Sequence, residues 1–163
     1  LKKRGIQKVA CTDIYNFSDK KFDTILLLMN GAGIGETLAG LEKLLAHLKT
    51  LLTEKGQILI DSTDIKYLFE EEDGSVWIHL ANDSYYGEME YEVKYKKSVT
   101  TFKWLFVDFE TLKKVCGNVG LKCKKIIDGE HSDYLAQITS IVWQITNFNV
   151  TLTDKHYSIN KTK

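Results

Sequence analysis

The chain has 163 residues, of which 44% are hydrophobic and 27% charged, enough for one domain with a real core and too few for two. Lys plus Arg and Asp plus Glu both number 22, so the formal net charge is zero, which argues against a polyanionic partner such as nucleic acid. No apolar run reaches membrane-spanning length and no signal peptide opens the chain, so a cytoplasmic protein is expected. Three cysteines, Cys11, Cys116 and Cys123, match no zinc spacing and are expected as reduced, buried thiols; no metal site is expected.

Leu1 to Arg4 reads as the last turn of a helix, with Gly5 as its C-terminal cap. Ile6 to Cys11 is a short apolar run ending at Thr12-Asp13, which predicts a strand. Phe22 to Leu28 is nearly continuous in apolar residues, the pattern of a strand buried on both faces of a parallel sheet. From Glu36 the period lengthens: Leu38, Leu41, Leu44, Leu45, Leu48, Leu51 and Leu52 form one stripe of a helix ending near Lys55-Gly56. Gln57 to Asp61 is the next apolar strand. Strand, helix and strand with brief connections make a βαβ unit.

The second half alternates instead. Met89, Tyr91, Val93 and Tyr95 interleave with Glu88, Glu90, Glu92, Lys94 and Lys96, and Phe102, Trp104 and Phe106 repeat the period of two. These predict a half-exposed antiparallel hairpin whose charges form a solvated face. Phe109 to Val119 predicts an amphipathic helix closed by Gly120. Leu121 to Ile127 and Tyr134 to Ile138 predict a final pair of strands.

Gly31, Gly33 and Gly35 lie between a strand and a helix, where free N–H groups can meet an anion. The local residues admit two readings. One is a dinucleotide loop, with Asp61 as the acid that meets a ribose. The other is a tight strand-to-helix turn and nothing more.

The order F-D-T-I-L-L-L-M-N-G-A-G-I-G, a long helix, then L-L-T-E-K-G-Q-I-L-I-D-S-T-D resembles the middle of class I S-adenosylmethionine-dependent methyltransferases. R-G-I-Q-K-V-A-C-T-D-I upstream resembles that family's third strand. Y-Y-G-E, F-K-W-L-F-V-D and G-E-H-S-D-Y-L-A downstream resemble a bacterial subgroup of it. The resemblance covers residues 1–138. It implies an α/β fold with a partial Rossmann-like sheet, its parallel strands finished by antiparallel ones, with an inserted β-hairpin. Residues 139–163 have no counterpart in the resemblance.

The resemblance also implies S-adenosylmethionine as cofactor and transfer of its methyl group to a small molecule. Asp13 would meet the adenine, and Met29, Asn30 and Gly31 would lie beside the methionine part. The strand edge facing the acceptor carries Asp61 and Asp64, with Tyr86 as a pocket wall; Tyr85, Glu88 and His131 are further candidates. The family's first strand and its acidic Gly-rich loop have no counterpart between Leu1 and Lys163. This chain alone is therefore expected to be inactive, and the edge of Asp23 to Leu28 is expected to pair with a second copy as a homodimer. A non-enzymatic interaction or regulatory domain of the same fold is the alternative.

Overall fold

A computed structural model describes residues 2–18, 20–71, 73, 75 and 84–141, together with the backbone of two further strands at 148–153 and 156–161. Its main sheet has four strands: β1 (Phe22–Leu27), β2 (Leu52–Thr63), β5 (Leu121–Asp128) and β6 (Asp133–Ser140). Their spatial order is β1-β2-β6-β5, with β1 parallel to β2 and the other two pairings antiparallel. The fold is therefore mixed α/β, with parallel strands finished by antiparallel ones, as the sequence implied. A separate ribbon pairs β3 (Glu88–Tyr95) with β4 (Ser98–Leu105), the inserted hairpin, and β7 (Phe148–Thr153) pairs with β8 (His156–Lys161).

Two helices cover one face of the main sheet. Helix α1 (Leu38–Thr50) starts where the Thr37 hydroxyl accepts from the Gly40 amide, and it buries Leu41, Leu44, Leu45 and Leu48. Helix α2 (Phe109–Asn118) is capped in the same way by Asp108 and buries Leu112, Val115 and Cys116. These leucines meet Ile58 and Ile60 of β2 with Ala136 and Ile138 of β6 in one core. Burying each such side chain contributes roughly 1.5–3 kcal/mol. The helices are tied to each other at one end, where the Lys49 ammonium donates to the Val119 carbonyl at 2.8 Å.

Four expectations need correction. Helix α1 ends at Thr50, and Leu52 opens β2 instead of closing the helical stripe. Leu51 and Leu52 are buried all the same, so the leucine spacing alone does not register the change of element. The register then jumps between Phe22 and Thr24, whose partners are Leu52 and Gln57, and Thr53 to Gly56 bulges out of the ladder. Next, β1 is not buried on both faces. Leu26 is 59% exposed and Leu28 50%, because both helices sit on the opposite face and β1 is an edge strand among the described residues.

Ile6 to Cys11 forms no strand and is mostly exposed. A strand needs a neighbour for its backbone groups, and none among the described residues lies beside this run. Gly5 does take the cap conformation, at φ 80°, after a short 3₁₀ turn at Lys2–Arg4. Finally, Cys116 and Cys123 are buried, whereas Cys11 is exposed on the unpaired run. No helix among the described residues is long and apolar enough to cross a membrane.

Candidate active site at the carboxyl edge of the sheet

Strand β1 ends in two consecutive left-handed residues, Met29 at φ 64° and Asn30 at φ 56°. Non-glycine residues take this conformation only when their surroundings enforce it. Asn30 is held from three sides. Its amide N–H donates to Asp61 Oδ1 at 3.1 Å, its Nδ2 donates to the Leu105 carbonyl at 3.1 Å, and its Oδ1 accepts from Ser62 Oγ at 2.7 Å. Met29 is turned outward as a consequence and is 89% exposed on the carboxyl edge. Of the three residues expected beside the methionine part of a cofactor, Met29 is open to solvent, the Asn30 side chain is occupied within the chain and Gly31 is buried.

Gly31 to Gly35 form a buried 3₁₀ turn. A Cβ on Gly33 would stand 2.0 Å from the Trp104 ring, and one on Gly31 would stand 2.7 Å from Leu27 Cβ. These glycines admit the hairpin and β1 rather than a ligand. The room a phosphate would need over Gly33 is filled by Trp104, so the structure favours the packing turn over a dinucleotide loop. Asp13 is exposed and caps a 3₁₀ turn at Ile14–Asn16, accepting from the Tyr15 amide at 2.9 Å.

Asp61 and Asp64 separate at the end of β2. Asp61 supports Asn30, as above. Asp64 accepts from the Lys66 amide at 2.9 Å and from the Tyr86 hydroxyl at 2.7 Å, so two of the expected acceptor-side residues are directly bonded. Tyr86 packs on Tyr85 at 4.4 Å between ring centroids, and the Tyr85 hydroxyl donates to Asp108 Oδ2 at 2.7 Å. Burial pushes both phenols well above their ordinary range, so each stays protonated as a donor. Burial by itself would raise Asp108, but hydrogen bonds from Thr111 and Tyr85 outweigh it and hold the carboxyl below the usual carboxylate range.

Asp64 and Asp108 line an open cleft of about 330 Å³ together with Phe109, Ser132, Tyr134 and Lys125. Tyr134 donates to the Val107 carbonyl at 2.7 Å, and burial raises its phenol as well. Lys125 reaches the cleft through an irregularity in β5. Its partner on β6 is Ala136, whereas Ile127 pairs with Leu135, so one extra residue, Ile126, sits between them. In a regular strand residues 125 and 128 would point to opposite faces; the bulge brings both to one side. Lys125 Nζ then meets Asp128 Oδ1 at 2.9 Å and lies 5.1 Å from the Phe109 ring centroid.

The sequence reading missed Asp108, Lys125 and Ser62. Asp108 stands just before the first apolar residue of α2, an N-cap position that could have been read from the pattern. A bulge leaves no such trace. Glu88 lies apart from the cleft lining and accepts from the Leu38 amide at 2.9 Å, and His131 lines a neighbouring depression with Tyr67. Among the described residues no group of three metal-ligating side chains converges.

Comparison with solved structures agrees with this fold. The chain is 38% identical to a SAM-dependent methyltransferase from Bacteroides fragilis in complex with S-adenosyl-L-homocysteine, with a TM-score of 0.77 over 86% of this chain and 57% of that one. It superposes on an S-adenosylmethionine-dependent methyltransferase from Clostridium acetobutylicum with a TM-score of 0.55, at 14% identity over 85% of this chain and 67% of that one. The sugar N-methyltransferase KedS8 from Streptoalloteichus gives a TM-score of 0.50 at 14% identity, over 79% of this chain and 60% of that one. The last two likenesses are of fold alone. No family model and no curated protein matches the sequence. The chain thus spans little more than half the length of its Bacteroides relative. By its sheet order, its inserted hairpin and this 38% identity, the chain carries part of the fold of class I S-adenosylmethionine-dependent methyltransferases.

Proposed function

We propose that the protein takes part in S-adenosylmethionine-dependent methyl transfer to a small molecule. The observation that carries this reading is the 38% identity to a methyltransferase crystallised with S-adenosyl-L-homocysteine. When bound, the cofactor supplies an electrophilic methyl group on a sulfonium. The residues of this chain fit one flank of it. Met29 is exposed at the end of β1, and Asp13 keeps one carboxylate oxygen outside its capping bond. Asn30 and Gly31 act behind Met29, fixing the backbone that presents it.

The cleft lined by Asp64 and Asp108, with Tyr86 bonded to Asp64, is then the acceptor side. Its carboxylates can accept from a polar acceptor and orient it without spending a side chain on covalent chemistry. Such a displacement depends mainly on alignment and exclusion of water. Asp108 is ionised at neutral pH, which suits it to hold a donor or cationic group of the acceptor by hydrogen bond and charge. The bare edge of β1 is the seat we assign to the family's first strand, in preference to the second copy expected there from the sequence. On that reading this chain by itself lacks the catalytic cofactor loop and is inactive.

Transfer of tritiated methyl from S-adenosylmethionine to panels of amines, sugars and phenols tests the proposal. The protein used is the chain together with whatever coding sequence precedes Leu1. Labelled small-molecule product is expected, and it should fall when Asp108 is replaced by Asn. Label found only in protein or nucleic acid would overturn the small-molecule acceptor.

A further inference from the structure

The β3–β4 ribbon presents an apolar face that its own chain does not cover. Met89, Tyr91, Val93 and Tyr95 alternate onto the side that also carries Phe102 and Trp104. The Tyr91 and Phe102 rings stack at 5.5 Å, yet Val93 is 49% exposed and Tyr95 69%. Among the described residues β3 pairs only with β4, leaving its outer backbone edge open. A two-stranded ribbon is marginal by itself, and an open apolar edge recruits another strand.

The charges on β3 identify the partner. Glu90 and Glu92 stand nearer the body of the protein and Lys94 nearer the tip, beyond which Lys96 opens the hairpin turn at φ 55°. This arrangement is complementary to itself when reversed. We propose that two copies of this chain pair β3 against β3, antiparallel, about a two-fold axis at Val93. The result is a four-stranded sheet of β4, β3 and their two symmetry mates. In that register Val93 faces its own counterpart, Tyr91 faces Tyr95 and Glu92 faces Lys94 of the second copy, and Glu90 lies opposite the hairpin turn.

The Glu92 and Lys94 pairs in the register are then of opposite sign, and Tyr91, Val93 and Tyr95 each meet an apolar residue. Strand β4 offers no such match, since Lys103 is its only charged residue. Glu92 and Lys94 touch within one strand at 2.6 Å, but both side chains are exposed, and such a pair exchanges partners at little cost. Glu88 is already committed to the Leu38 amide and lies outside the charged register.

The test does not depend on methyl transfer. Sedimentation and light scattering of the chain are expected to give twice the 18.7 kDa mass. Glu92→Lys should weaken the dimer by at least about tenfold, because both Glu92–Lys94 pairs about the axis become repulsive. Adding Lys94→Glu should restore it, and this swap also guards against a variant that merely misfolds. With the exposed Cys11 changed to Ser, Val93→Cys should oxidise to a covalent dimer, whereas Thr100→Cys, its neighbour on β4, should not. A monomer up to the solubility limit overturns the proposal. So does a dimer indifferent to the charge changes, or one cross-linked through Thr100→Cys and not through Val93→Cys.

Discussion

Ser62 Oγ donates to Asn30 Oδ1 at 2.7 Å and accepts from the Val107 amide at 3.0 Å. One buried hydroxyl thereby joins the ends of β1 and β2 to the segment leading into α2. Ser62→Ala leaves the Asn30 carbonyl and the Val107 amide without that partner, and a loss of about 1–3 kcal/mol is expected. Asn30→Ala should cost a similar amount. Because both changes break the same bond, the double variant should lose less than the sum, measured by urea denaturation.

Gly33 is where the hairpin rests on the 3₁₀ turn. A methyl group there would overlap the Trp104 ring at 2.0 Å, and the ring is held edge-on to Phe102 at 6.3 Å. Gly33→Ala should destabilise the protein by about 1–3 kcal/mol through overpacking. Thermal denaturation would register this as a lower melting temperature, with a shift in tryptophan emission as Trp104 leaves its seat.

Acid should reveal the carboxylate at the start of α2. The folded pKa of Asp108 lies below its unfolded value, so its ionisation stabilises the fold at neutral pH. That contribution is present above the unfolded value of about 4 and disappears as pH falls through the lower folded value. Asp108→Asn keeps a capping oxygen but cannot titrate. The gap in stability between wild type and Asp108→Asn should be widest near neutral pH and close below about pH 4; a constant gap would contradict the assignment.

Tyr86→Phe separates acceptor binding from cofactor binding. The change removes the 2.7 Å hydrogen bond to Asp64 but leaves the stacking on Tyr85. Stability should fall by about 1 kcal/mol. In the methyl-transferring protein, the acceptor KM should rise by roughly tenfold, the equivalent of one hydrogen bond to a charged group. Affinity for S-adenosyl-L-homocysteine should be unchanged, because Tyr86 acts through Asp64 on the proposed acceptor side.

Where the sequence was legible, a single period governed each element. The leucine stripe at Leu38 to Leu48 and the alternation at Met89 to Tyr95 were both enough to identify their elements. It failed where tertiary partners decide. Ile6 to Cys11 has strand composition but no neighbouring strand, and Leu52 belongs to a strand although its spacing continues a helix. At the site, Asp64 is named for its position on the carboxyl edge and Tyr86 as a pocket wall, and the two are hydrogen-bonded. Asn30 was named as a ligand-side residue, but it serves as the brace behind Met29, a role that depends on Ser62 and Leu105 far along the chain. Lys125 and Asp128 share a side only because β5 bulges between them, and no side-chain pattern announces a bulge.

Calorimetric titration of S-adenosyl-L-homocysteine tests the central claim most directly. It would be run on this chain, on the chain extended by any coding sequence upstream of Leu1, and on that longer protein carrying Asp13→Ala. Binding by the longer protein, weakened by Asp13→Ala and absent or weak in the short chain, is the result the account predicts. No binding by either protein would contradict it, leaving the methyltransferase likeness as one of fold alone.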